Sequence, residues 1–470
     1  VTALALHPDR LFPSEPAVRE IARRLFAGVA CLPIVSPHGH CDPAWFARDA
    51  AFADPASLLV TPDHYVLRLL RSFGTPLEAL GVAPLDGGAF ERDPRAVWRA
   101  FAALYPRFAG TPTRLWLDYV FAEVFGLSER LDAESADAQY DAIAQALARP
   151  AFRPRALFDR FGIEALATTE GALDPLEAHA AIRASGWGGR VIPTFRPDGV
   201  LDPEQPDFRA DLAALGEMTG EDTAGWRGYL RALRMRREAF RAAGATASDH
   251  GHPTAATADL SDIEAEALFA KAARGEVSAA EAELFRAHML MRMAEMSADD
   301  GLVMQLHPGS RRNHDPATLA RFGRDRGADI PTRTDFVHAL APLLNRFGAH
   351  PRLTLVVFTL DETTYSRELA PLAGFYPALK LGAPWWFHDS PEGMRRFREQ
   401  TTETAGFFNT VGFADDTRAF LSIPARHDLA RRMDCAFLAR WVAEHRLEED
   451  EAHGIARALA HDLAKAAYRL

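Results

Sequence analysis

The stretch Leu32-Pro33-Ile34-Val35-Ser36-Pro37-His38-Gly39-His40-Cys41-Asp42 decides the reading of this chain. Its apolar start, Leu32 to Val35, reads as a short buried strand, and it ends in His-Gly-His. Side chains alternate along extended backbone, so residues two apart face the same way. His38 and His40 therefore point at one centre, while Gly39 points away and adds no bulk. Imidazole is the commonest side-chain ligand for zinc and similar divalent ions. Two imidazoles at the C-terminal end of an early strand make half of a metal site, and the rest of the chain must supply the other half. Taken alone, the pair reads equally well as two unrelated histidines at a strand–loop junction. Cys41 offers a soft ligand beside them, although a strand-end cysteine that merely packs is the commoner case.

Working outward, residues 14–30 read as a helix, with Ser14 as cap, Pro16 in the first turn and Ile21, Leu25 and Phe26 as its apolar stripe. After the first strand, Thr61-Pro62-Asp63-His64-Tyr65 opens helical text rich in Ala, Arg and aromatics. It continues to about residue 160 without a convincing strand. That is too long for a simple crossover and predicts a helical insertion over 61–160. A second long helical stretch occupies 255–298. Further strands are expected at Ile163–Thr169, Arg190–Phe195, Gly244–Ser248, Leu302–Leu306, Leu353–Phe358, Ala378–Leu381 and Phe407–Phe413. Alternating strand and helix imply a parallel sheet. Eight such units suggest an α/β fold of the (β/α)8 TIM-barrel type in one domain spanning 1–470. Its active site would lie at the C-terminal strand ends. An open doubly wound sheet is the alternative.

Composition narrows the class. The 470 residues are 25% charged and 48% hydrophobic, as in ordinary soluble globular proteins. A formal charge of -11 and the lack of any Lys/Arg run argue against a nucleic-acid partner. Lysine occurs only at Lys271, Lys380 and Lys465, so arginine, the better bidentate partner for a carboxylate, carries the positive charge. Cys31, Cys41 and Cys435 make no disulfide framework and favour a reducing compartment. No run of about 18 apolar residues appears and no signal pattern opens the chain, so no membrane partner and a cytoplasmic location are expected.

Polar residues gather just after the expected strands. His38 and His40 follow the first, and Thr194-Phe195-Arg196-Pro197-Asp198 the third. Asp249, His250 and His252 follow the fourth, and Gln305-Leu306-His307-Pro308-Gly309 the fifth. Trp385 and Trp386 follow the seventh, and Asp415-Asp416-Thr417-Arg418 the eighth. Each has a plain structural explanation: an ion pair for Arg196, a packed loop for His307, an N-cap for Asp416, core for Trp385 and Trp386. Their shared position at the strand ends lifts the set above those readings, because a barrel brings all these points to one rim.

His-Gly-His after a short strand, with an aspartate after the last strand, resembles the metal-site pattern of the amidohydrolase superfamily. Within it, the chain is similar to the uronate (glucuronate) isomerases. The similarity runs through Leu11-Phe12-Pro13, Pro16-Ala17-Val18-Arg19, Ser36-Pro37-His38-Gly39-His40, Asp63-His64-Tyr65 and Thr194-Phe195-Arg196-Pro197-Asp198. It continues in Ala247-Ser248-Asp249-His250-Gly251, Met304-Gln305-Leu306-His307, Trp385-Trp386-Phe387 and Asp416-Thr417-Arg418-Ala419-Phe420-Leu421-Ser422. The Asp-His-Tyr and Thr-Phe-Arg-Pro-Asp segments are far more specific than the histidine pair. Asp415 stands where the family usually has Thr, Pro308 where a small or branched residue is usual, and no Leu-Asn-Pro-like turn occurs near Thr359-Leu360-Asp361-Glu362.

The resemblance implies a distorted (β/α)8 barrel with long helical insertions and an aldose–ketose isomerase. Its reactions would convert D-glucuronate to D-fructuronate and D-galacturonate to D-tagaturonate. It implies one divalent metal, zinc foremost, held by His38, His40 and Asp416. Asp416, Tyr65 and His64 would be catalytic, and Arg196, Arg418, His307, Trp385 and Trp386 would bind substrate. A homo-oligomer is a family-level expectation. Isomerisation needs a base, an acid for the carbonyl oxygen and a holder of developing negative charge, and two arginines suit a uronate carboxylate. The rival on the same barrel is a mononuclear metal-dependent hydrolase of an amide or lactone. A binuclear version built on a carboxylated lysine is disfavoured, because only Lys380 lies near a strand end. The rival from another class is a non-catalytic sugar-acid or metal binder.

Overall fold

The short apolar runs become neighbouring parallel strands. In the computed structural model, which describes residues 3–470, they are β1 (Ile34–Ser36), β2 (Ile163–Gly171), β3 (Val191–Arg196), β4 (Ala247–His250), β5 (Val303–Leu306), β6 (Leu355–Val357) and β7 (Leu379–Leu381). They stand in chain order in one sheet, and every pairing is parallel. β1, β4, β5 and β6 are buried at every position. Continuous apolar runs are the mark of parallel strands covered on both faces.

The expected eighth strand, Phe407–Phe413, is reduced to a single parallel bridge between Thr410 and Leu381. Two backbone bonds hold it: Leu381 N–H donates to Asn409 at 2.9 Å and Val411 N–H to Leu381 at 2.9 Å. Closure onto β1 uses a rim contact instead of a ladder, His40 N–H to the Thr417 carbonyl at 3.0 Å. Gly412, with φ +73°, and the left-handed Asp416, φ +40°, turn the chain away before pairing can lengthen. The result is a distorted (β/α)8 barrel in place of an open sheet.

β4 begins three residues later than its sequence suggests and takes in Asp249 and His250. Gly244, at φ +100°, belongs to the turn after the helix Trp226–Ala242. The polar side chains of Asp249 and His250 disguised a strand as a loop. A two-stranded antiparallel hairpin, Ser310–Arg311 with Ile330–Pro331, lies outside the sheet and has no clear sequence signal.

Between β1 and β2 the regular elements are helical, and local chemistry explains several starts. Pro55, Pro94 and Pro112 occupy first helical turns, where a missing N–H costs nothing. Asp54, Asp93 and Thr111 accept the free amides as caps. These helices close over Trp98, Phe101, Tyr105, Phe108 and Phe121, all fully buried. Two capping boxes, Ser261 with Glu264 and Ser278 with Glu281, start the helices Asp262–Arg274 and Ala279–Asp300. The second carries Met289, Met291 and Met293 into the core beside β5. The helix Pro16–Val29 is capped differently from expectation. Its N-cap is Glu15 and Ser14 makes no side-chain cap; Val18, Ala22, Leu25 and Val29 form its buried face. Among the described residues, no helix is long and apolar enough to cross a membrane.

Candidate active site

The strand ends do meet on one rim. They enclose a polar cavity of about 320 Å³ lined by His38, His40, His64, Tyr65, Arg196, His307, Trp385, Trp386, Asp416 and Arg418, among others. Every residue expected to hold metal, bind substrate or take part in catalysis therefore lines the same space. That volume suits a small polar ligand.

β1 delivers the histidine pair. Gly39 between them is packed against backbone: a Cβ there would meet the Thr417 carbonyl at 3.3 Å and that of Ala167 at 3.4 Å. The His38 Nε2 atom lies 3.6 Å, and His40 Nε2 3.0 Å, from Asp416 Oδ1. His38, His307 and Asp416 form one candidate ligand group, whose ligand atoms all lie within 4.8 Å of one another. His307 thus joins the centre, while the His40 side chain stays 30% exposed at the mouth. His307 stacks on His38 with ring centroids 4.7 Å apart and on Phe358 at 4.0 Å.

Two residues outside the anticipated set hold these imidazoles. Asp249 is fully buried and sits 2.6 Å from His307 Nδ1, which donates to it. That leaves His307 Nε2 as a buried lone pair with no hydrogen-bond partner. An outer carboxylate fixing the tautomer of an inner imidazole is the arrangement metal ligands use. Gln305 lies 3.4 Å from His38 Nδ1, and its oxygen accepts from Tyr468 at 2.8 Å. A half-turn of the Gln305 amide lets His38 Nδ1–H donate and frees Nε2. Imidazole nitrogens and one carboxylate at these separations fit a borderline divalent ion such as zinc. Cys41 is not part of the centre. Its buried Sγ donates to the Thr417 carbonyl at 3.6 Å, and burial pushes the thiol well above its ordinary pKa.

The electrostatics suit that reading. Burial works against charge on Asp416, but His38, the His40 contact and His307 outweigh it and hold the carboxyl well below its usual range. Burial lowers His40 and His307 and drives His64 well down, so these rings are neutral near pH 7. Asp416 also has positive φ, a strained state for a non-glycine residue of the kind that clusters at functional sites.

Opposite the centre stand arginines. Burial opposes the Arg196 charge, yet Asp198 and Asp249 raise its pKa: Nε lies 2.8 Å from Asp198 and Nη1 3.2 Å from Asp249. Arg418 reaches Asp325 at 3.7 Å. Arg312, on the hairpin segment, lies 5.6 Å from the Trp386 ring centre. Sequence reading missed Arg312, Asp325 and Tyr468, and named Asp249 and Gln305 without assigning them a role. The hairpin has no periodic pattern to reveal the first two.

Tyr65 and His64 arrive on the first turn of the helix His64–Ser72. Asp63 caps it, accepting from Tyr65 N–H at 2.8 Å. Tyr65 is half-buried, and its hydroxyl is held well above the ordinary phenol value, chiefly by desolvation. Its ring lies 5.2 Å from the guanidinium of the buried Arg426. Trp385 packs edge-on against His307 at 4.7 Å, and Trp386 against His64 at 5.4 Å. Both tryptophans are nearly buried, so each serves the core and the cavity wall together.

A barrel with imidazoles, an ionised carboxylate and fixed arginines on its C-terminal rim defines an enzyme for a small, oxygen-rich anion. The comparisons make it specific. A profile of the family described as glucuronate isomerase matches residues 16–468, and the chain belongs to that family. It is 67% identical over 468 residues to a uronate isomerase of Rhizorhabdus wittichii, covering 99% of each chain. It is 63% identical to one of Phenylobacterium zucineum, over 99% of this chain and 97% of that protein. The crystal structure of glucuronate isomerase from Caulobacter crescentus superposes with a TM-score of 0.98 at 61% identity, covering 100% of this chain and 98% of that one. The uronate isomerase of Thermotoga maritima gives 0.92 at 28% identity over 99% of each chain. Lys380 does not supply a metal bridge: its Nζ bonds Asn409 at 2.8 Å and it does not line the cavity.

Proposed function

We infer that this chain is an aldose–ketose isomerase of hexuronates, interconverting D-glucuronate with D-fructuronate and D-galacturonate with D-tagaturonate. The observation that carries the reading is the pairing, across one cavity, of an ionised carboxylate–imidazole centre with fixed arginines. Neutral sugars need no fixed cation, whereas a uronate carries its charge at the far end from C1 and C2.

Arg196 and Arg418 bind the C6 carboxylate, and Trp385 and Trp386 wall the sugar in. Asp416, ionised at every working pH, takes the C2 proton. The C–H electron pair becomes the C1–C2 double bond, and the C1 carbonyl oxygen takes a proton, giving an enediol. Tyr65, whose raised pKa keeps its hydroxyl protonated, is the donor, with His64 stacked on it at 4.5 Å as relay. Return of a proton to C1 and loss of one from the C2 hydroxyl give the ketose, with no net oxidation. His38, His40, His307 and Asp416 would hold one divalent ion, zinc by donor type. When bound, it supplies charge stabilisation for the substrate oxygens.

The test is an NMR time course of the purified protein with D-glucuronate in D2O, zinc supplied. Appearance of the ketose supports the reading, and deuterium at C1 reports exchange of the base with solvent. An unchanged spectrum with both glucuronate and galacturonate overturns it.

A further inference from the structure

Beside the active-site centre lies a second group of metal-binding side chains with no place in the isomerisation. Along β4, Asp249 faces His307 inside the barrel, so its neighbour His250 faces the opposite way. Gly251 then lets His252 swing back beside it; a Cβ at 251 would collide with the Arg196 guanidinium. His250 is 1% and His252 5% exposed, and among the described residues none of their four ring nitrogens has a hydrogen-bond partner. An unpaired buried polar group is costly, and two adjacent imidazoles left wholly unpaired are rare in a folded core.

The missing partner has a defined place. Ligand atoms of Asp198, His250 and His252 lie within 4.8 Å of one another, with His252 Nε2 3.7 Å from Asp198 Oδ1. Asp198 Oδ2 is taken by Arg196 at 2.8 Å and by Gly251 N–H at 3.0 Å. Oδ1 has only a long 3.3 Å contact from the same amide and is turned to the histidines. The nearby arginines Arg286 and Arg237 are matched elsewhere, Arg286 by Asp202, Glu204 and Glu283, and Arg237 by Asp300. Burial also keeps both rings neutral, pushing His250 down to about 3 and lowering His252, so lone pairs are available at pH 7. Asp198 and His252 line the main cavity, which gives an entry path.

We propose that Asp198, His250 and His252 form a second divalent-cation site of the zinc class, with ligands distinct from His38, His40, His307 and Asp416. Two imidazoles and a carboxylate leave a fourth tetrahedral position open to water. A cation there ties down Asp198 and, through it, Arg196.

The test is metal stoichiometry. Protein stripped with a chelator is titrated with Co2+, and bound metal is counted by elemental analysis. His38→Asn is expected to keep one equivalent, and the added His252→Asn to remove it. His252→Asn alone is expected to bind one equivalent fewer than wild type. Loss of all metal in His38→Asn, or binding unchanged by His252→Asn, overturns the proposal. Circular dichroism melting checks that each variant folds. A zinc-edge anomalous map of wild-type crystals soaked in Zn2+ needs no variant: a peak between His250 and His252 is expected, and its absence is equally decisive.

Discussion

His307 Nδ1 lies 2.6 Å from Asp249 Oδ1, in a pair no more than 2% exposed. The carboxylate does two jobs at once, because its other oxygen lies 3.2 Å from the Arg196 guanidinium in an ion pair. It thereby joins the imidazole side of the cavity to the arginine side. Replacing Asp249 with Ala frees the His307 tautomer and leaves Arg196 with Asp198 alone. Metal affinity or turnover is expected to fall roughly 10- to 100-fold, the usual cost of losing an outer-shell partner. Competition with a calibrated chelator, alongside kcat, measures it. Wild-type values for both would show that Asp249 orients nothing.

The ranking of ligands is a second prediction. Histidine spacing favours His38 and His40, whereas the three residues whose ligand atoms all lie within 4.8 Å of one another are His38, His307 and Asp416. His307 is 2% exposed, and its Nε2 has no partner except what binds in the centre. His307→Asn is therefore expected to lower bound metal more than His40→Asn. Elemental analysis of both variants, purified side by side, decides it, and equal retention would restore the pair to first place.

The histidine pair was readable because both determinants are local: an apolar run makes the strand and alternation sets the faces. The same logic placed Arg196 and His307 at strand ends. It faltered where tertiary contacts outweigh local pattern. Asp249 and His250 look like loop text, yet they lie within a buried strand because Arg196 and His307 meet the Asp249 carboxylate. Tyr468 sits 163 residues from its partner Gln305, and no spacing rule joins them. The eighth strand looked as good as the others in sequence, but the turns at Gly412 and Asp416 limit it to one bridge.

Arg418 gives a clean separation of binding from metal content. Its guanidinium lines the cavity, and its only ion-pair partner among the described residues is Asp325, at 3.7 Å. Arg418→Met keeps the length and removes the charge. Loss of a charged hydrogen bond, worth about 1.5–3 kcal/mol, predicts a KM higher by roughly 10- to 100-fold with bound metal unchanged. Steady-state kinetics with D-glucuronate and metal analysis of the same sample test both halves. A normal KM would remove Arg418 from the carboxylate site.

Glu170, at the C-terminal end of β2, predicts a pH-dependent stability. Burial raises its carboxyl to about 8, and Oε2 has no hydrogen-bond partner. His179, 3.8 Å away, is itself lowered to about 4 by burial and then by Arg183, so the contact joins two neutral groups and is no ion pair. Below pH 4.5 the carboxyl is protonated in folded and unfolded chains alike and contributes nothing. Between pH 4.5 and 8 the unfolded chain releases the proton while the folded chain keeps it, so stability falls as pH rises. Above pH 8 the whole penalty is present. Glu170→Gln copies the neutral acid and removes that penalty. It is expected to match wild type at pH 4 and to exceed it at pH 8 by on the order of 4 kcal/mol. Urea unfolding of both proteins at the two pH values measures this, since every other titrating group cancels in the difference. An identical offset at pH 4 and pH 8 would mean that Glu170 is ionised in the folded protein.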